Sequence, residues 1–131
     1  MGIFDFFKKK KPAVPPTPPE DPAVDRSGWT GRDFEFMITG DLHIPDEDYD
    51  RIMTPNTLGW CKVHKDDWYY YQVAGDEYTY SWEMPGIQMI FNDEITYGKA
   101  RQIADEVLEN IRSTGQKAEL LVLDSTKNYF F

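Results

Sequence analysis

The chain has 131 residues, a net charge of −9 and one cysteine, and 15% of its residues are aromatic. That length suits one domain with a single core. The lone Cys61 rules out an internal disulfide and suits a reducing compartment. No apolar run approaches the ~20 residues of a membrane span. Secretion is not indicated either, because Lys8 to Lys11 follow the short apolar head instead of preceding it. The expectation is an intracellular protein, cytoplasmic or peripheral at the inner membrane face.

Charge divides the chain. Residues 1–27 carry five basic and four acidic side chains, a net +1, which leaves −10 on residues 28–131. A field of that sign repels phosphate backbones, so no nucleic-acid role is expected, and it attracts a basic protein partner. Ordinary solubility is the plainer reason for such a charge.

Residues 1–11 form a Phe/Lys head. Ile3, Phe4, Phe6 and Phe7 would make an apolar patch in a helical turn, beside Lys8, Lys9, Lys10 and Lys11. That pairing fits weak, reversible contact with an anionic membrane surface; a frayed terminus without function is the alternative. Myristoylation at Gly2 is rejected, because Phe6 stands where that signal needs Ser or Thr. Residues 12–27 hold prolines at 12, 15, 16, 18, 19 and 22. Such a segment reads as an extended polyproline spacer before an acidic globular domain at 28–131, with an SH3-type ligand as a lesser alternative.

Within the domain, Phe34 to Ile38 reads as a first strand, and Thr39-Gly40-Asp41 ends it. Pro45 followed by Asp46, Glu47 and Asp48 marks the start of a short helix near 45–53, with Tyr49, Ile52 and Met53 at helical spacing. A meander follows. Trp60 to His64 and Asp67 to Ala74 flank a turn at Lys65-Asp66. Gly75-Asp76 predicts a type II′ hairpin into Glu77 to Met84, and Pro85-Gly86 turns into Ile87 to Phe91. The clearest element is an amphipathic helix over 97–113. Tyr97, Ala100, Ile103, Ala104, Val107, Leu108 and Ile111 make its apolar stripe, Thr96 its cap, and Gly115 lies just past its end. Arg101 and Asp105 are placed to pair on its wet side. Ala118 to Leu123 predicts a last strand, covered on both faces. The predicted class is α+β: a mostly antiparallel sheet of five to six strands with the long helix on one face.

Familiar chemistry is missing. Cys61 and His64 have half the spacing of a zinc site, but three residues apart on a strand they point to opposite faces. Asp46, Asp48 and Asp50 begin like a calcium loop, yet Arg51 and Thr57 stand where Gly and Glu are needed. No metal or cofactor is expected. Neither a nucleophile elbow nor a phosphate-cradling loop is present, and Cys61 reads as a packed, inert thiol. No catalytic residue is assigned; an enzyme of unrecognised type stays as an alternative.

Aromatic density is the unusual feature. Alternation puts Tyr78, Tyr80 and Trp82 on one face, and sets Tyr69 and Tyr71 opposite to Trp68 and Tyr70. One helix covers one face only, so some rings meet water or a partner. The leading reading is a non-catalytic protein-binding module, of inhibitor, immunity or accessory type, that shows acids and aromatics to a basic partner. Its candidate residues are Asp46, Glu47, Asp48, Asp50, Tyr69, Tyr71, Tyr78, Tyr80 and Trp82. Against it stands the plain alternative that these rings fill the core with their polar tips wet. The second reading is a membrane- or complex-tethered accessory protein that uses the arm.

Overall fold

The computed structural model describes residues 25–84 and 86–125. The predicted head, with Ile3, Phe4, Phe6, Phe7 and Lys8 to Lys11, and the linker up to residue 24 lie outside them. Six strands, β1 (Phe34–Thr39), β2 (Cys61–Lys65), β3 (Trp68–Val73), β4 (Asp76–Glu83), β5 (Gly86–Phe91) and β6 (Glu119–Asp124), form one sheet in the order β2-β3-β4-β5-β1-β6. Every pairing is antiparallel. A 3₁₀ turn at Asp46–Asp48 leads into a short helix, α1 (Tyr49–Ile52), and the long helix is α2 (Tyr97–Arg112). The protein is an α+β fold, as expected.

Two connections shape it. The chain leaves β5 through α2 and returns as β6 on the far side of β1, so β1 lies between two strands that run the same way. The other connection carries the chain from β1, through α1, to β2 at the opposite edge. It crosses the same face that α2 covers, because Asn110 of α2 donates to the carbonyls of Ile52 (3.1 Å) and Thr54 (3.0 Å). Glu106 fastens the next turn: its carboxylate accepts the backbone N–H groups of Asn56 (2.6 Å) and Thr57 (2.8 Å).

Alternation sorts the strands. Phe34, Phe36 and Ile38 of β1, Ile87 and Met89 of β5, and Val122 of β6 meet Ala100, Ile103, Ala104, Val107, Leu108 and Ile111 of α2 in the main core. This face is called the front. On the back, Met37, Leu121 and Leu123 form a small buried cluster, so both faces of β6 are covered even though it is an edge strand. Thr96 caps α2 by accepting from the N–H of Lys99, and Arg101 pairs with Asp105 at 2.9 Å. Packing reaches back before Gly28. Trp29 stacks on Phe34, its carbonyl accepts from the Tyr97 N–H at 3.0 Å, and the Arg26 guanidinium lies 5.2 Å above its ring.

The turns differ in register from expectation. Lys65 pairs with Trp68, so the first hairpin turns at Asp66-Asp67, both with positive φ (55° and 61°). Aspartate is among the few residues with a side chain that tolerate this conformation. Val73 pairs with Asp76, so the second turn is Ala74-Gly75, with φ 46° and 88°. Two positive φ values make a type I′ turn, not type II′ at Gly75-Asp76; its twist matches that of the strands. Among the described residues no helix is long and apolar enough to cross a membrane.

Candidate functional site

The helix layer stops short of the β2 edge, and there the front face is open. A groove of about 520 Å³ lies between the start of α1 and strands β2 to β4. Tyr71 and Tyr80 form its floor, Asp46, Tyr49 and Asp50 line it from the α1 side, and Lys62, Asp67, Trp68, Tyr69, Thr79 and Trp82 line it from the strand side. Strand register explains the floor. Tyr71 pairs with Tyr78 across β3 and β4, and Tyr80 follows Tyr78 on the same face.

Asp50 occupies the centre of the polar network. Its Oδ1 accepts from the Tyr71 hydroxyl at 2.6 Å, and the Lys62 ammonium lies 3.0 Å from Oδ1 and 3.2 Å from Oδ2. The same ammonium sits 4.4 Å from the centroid of the Tyr69 ring, a cation–π contact. His64 stacks on Tyr69 at 4.6 Å. Across the groove the Trp82 indole donates to the Tyr49 hydroxyl at 3.2 Å, and Tyr49 meets Tyr80 edge to face. Trp60 stands edge-on against Tyr71 at 5.8 Å.

Protonation states follow from these contacts. Burial pushes the Asp50 carboxyl up, but the Tyr71 hydroxyl and the Lys62 ammonium together hold it below the usual carboxylate range. Burial, then the bond to Asp50, raises the Tyr71 hydroxyl far above its ordinary value. Tyr49 is raised by burial, with the Trp82 indole offsetting part of the shift. At neutral pH the groove therefore presents the Asp50 carboxylate beside the neutral Tyr49, Tyr71 and Tyr80 phenols.

The residues singled out from the sequence separate here. Asp46, Asp50, Tyr69, Tyr71, Tyr80 and Trp82 come together in the groove. Tyr69 (55%) and Trp82 (51%) are exposed, whereas Tyr71 and Tyr80 are buried and show the groove only one side of their rings. Tyr78 lies in the core, its hydroxyl bonded to the Met53 carbonyl at 2.9 Å. Glu47 does not line the groove, and Asp48 pairs with Arg51 at 3.1 Å. The acidic series thus splits among separate partners, and among the described residues no three His, Cys, Asp or Glu side chains converge on a point that could hold a metal ion.

Three features escaped the sequence reading. Lys62 and Tyr49 are part of the site, and placing Lys62 opposite Tyr71 requires the Asp66-Asp67 turn; two adjacent aspartates at a hairpin tip were the available signal. Cys61 is exposed and not packed, because β2 is an edge strand; its thiol lies 3.6 Å from the Gln72 side chain. Comparison with protein-family models, with curated proteins and with solved structures gave no match to this chain.

Proposed function

We propose that the chain is a non-catalytic protein-binding module, and that the groove over β2, β3 and β4 receives a basic segment of a partner protein. One observation carries this reading: an ionised carboxylate, Asp50, is held in place by a buried tyrosine and framed by two half-exposed aromatic rings, Tyr69 and Trp82. Exposed aromatic rings around a fixed charge are the usual anchors of an interface. The charge of −10 on residues 28–131 adds long-range attraction for a cationic partner.

The groove's protonation states also favour binding over catalysis. Proton transfer at neutral pH needs a group poised near 7, whereas Asp50 is shifted down and Tyr49 and Tyr71 are shifted up. The single exposed thiol suits a reducing compartment, so we assign the protein to the cytoplasm.

Affinity capture from the source cells, with the full chain as bait, tests the proposal. Wild type and the back-face variant Ile90→Ser are expected to enrich the same basic protein, and Asp50→Asn and Trp82→Ala to lose it. Equal recovery by all four baits would overturn the assignment.

A further inference from the structure

The groove already contains a cation, and it belongs to the protein. Lys62 reaches from the edge strand β2 so that its ammonium meets both oxygens of Asp50, at 3.0 and 3.2 Å, over the face of Tyr69. We propose that Lys62 holds the place of an arginine side chain from the partner, which takes over Asp50 and displaces Lys62 to solvent. This inference rests on the groove being a binding surface for a basic segment, and it names the anchor of that segment.

Three features favour arginine over lysine. Both Asp50 oxygens face the same side of the groove, the edge that a guanidinium fork engages through two parallel hydrogen bonds. A point ammonium uses that edge less fully. Tyr71 fixes the carboxylate by its own hydrogen bond at 2.6 Å, so Asp50 keeps its orientation when Lys62 leaves. Tyr69 and Trp82 are each about half exposed and offer flat faces on which a guanidinium stacks.

Displacement is cheap as well. The Lys62 and Asp50 side chains are 37% and 42% exposed, and ion pairs this open to water contribute little. Each lysine of β2 has one acidic partner among the described ion pairs: Lys62 has Asp50, and Lys65, on the opposite face, has Glu77 at 2.7 Å. Lys62 is the lysine of β2 that faces the groove, and it competes with any cation that enters. Its presence also keeps Asp50 paired while the groove is empty, which avoids a half-buried lone carboxylate.

The test uses the full chain and capped tetra-arginine and tetra-lysine peptides, followed through the Trp82 indole N–H resonance. Wild type is expected to bind tetra-arginine several-fold more tightly than tetra-lysine. Lys62→Met is expected to tighten tetra-arginine by roughly three- to tenfold, and Asp50→Asn to abolish the shift. Lys65→Met makes the same change in net charge outside the groove, so it sets the general electrostatic gain, which Lys62→Met must exceed. Lys62→Gln provides the second variant if Lys62→Met does not fold. If wild type binds and Asp50→Asn does not, but Lys62→Met gains no more than Lys65→Met, the placeholder idea is wrong while the binding surface stands. Equal affinity for the two peptides removes the arginine assignment. Should none of the proteins shift with either peptide, both the inference and the reading beneath it fail.

Discussion

The front of the sheet has two halves built from the same kind of strand and finished differently. Under α2, strands β5, β1 and β6 present Phe, Ile, Met and Val to the helix stripe, and the result is a dry core. Over β2 and the Trp68 end of β3 the same face carries Lys62, His64 and Tyr69, and it opens to water. Geometry explains the contrast. Strands lie ~4.8 Å apart, so six of them span about 24 Å, while one helix is about 10–12 Å across. A single helix cannot roof this sheet, and with the α1 connection the cover reaches Tyr71 and Val73 of β3 but not β2. Beyond that line the face must be made of side chains that tolerate both burial and water, and tyrosine and tryptophan do so.

Strands β3 and β4 carry the seam between the halves. Tyr78 and Tyr80 bury their rings on the core side and both donate to one acceptor, the Met53 carbonyl, at 2.9 and 2.8 Å. Met53 is the first residue beyond α1, so two tyrosines hold the end of the roof.

This arrangement predicts sharp alkaline unfolding. Tyr71, Tyr78 and Tyr80 are all raised above 10.0, chiefly by burial. The folded state therefore binds these protons more tightly than the unfolded chain. The associated stability is intact below pH 10 and is lost as pH rises from there towards the folded values. Three such groups give a slope of about 4 kcal/mol per pH unit. Urea midpoints measured from pH 9 to 11, with tyrosinate absorbance recorded alongside, should fall together; free ionisation of all tyrosines without unfolding would contradict the burial of the seam.

Substitutions then separate the halves. Phe36→Ala, in the closed half, removes a fully buried ring and should cost about 3–5 kcal/mol in urea unfolding. At the seam, Tyr78→Phe and Tyr80→Phe should cost about 1 kcal/mol each. The double variant should cost more than their sum, since only then is the Met53 carbonyl left without a partner. At the far end of the roof, Glu106→Ala frees the turn at Asn56 and Thr57 and should cost about 1 kcal/mol, with faster amide exchange confined to that turn.

The sequence showed the closed half well. The stripe from Ala100 to Ile111 has one helical solution, Thr96 and Gly115 mark its ends, and alternation in Phe34 to Ile38 sets the core side of β1. The open half was legible in composition but not in placement. Six of the nine singled-out side chains meet in the groove; alternation separates Tyr69 and Tyr71 from Tyr70, but Trp68 also reaches the groove lining, which alternation does not predict. Tyr78 and Tyr80 share a face with Trp82, and no local pattern says that the roof ends between them; that depends on how far α2 and the α1 connection reach across the sheet. Lys62 was hidden for a related reason. Its partner Asp50 sits across a chain connection whose path is set by packing, not by periodicity.

A modest change for stability should be the most costly for binding. Tyr69→Ala and Trp82→Ala remove half-exposed rings, so urea unfolding should move by about 1–2 kcal/mol, well below the cost of Phe36→Ala. Affinity for a basic partner or for tetra-arginine should fall at least about tenfold. Measuring both quantities on the same two variants is the most direct test of the open half as a binding surface. A large loss of affinity with a loss of stability well below that of Phe36→Ala is the predicted result. A loss of stability like that of Phe36→Ala, with affinity intact, would mean that these rings are part of the core and that the groove binds nothing.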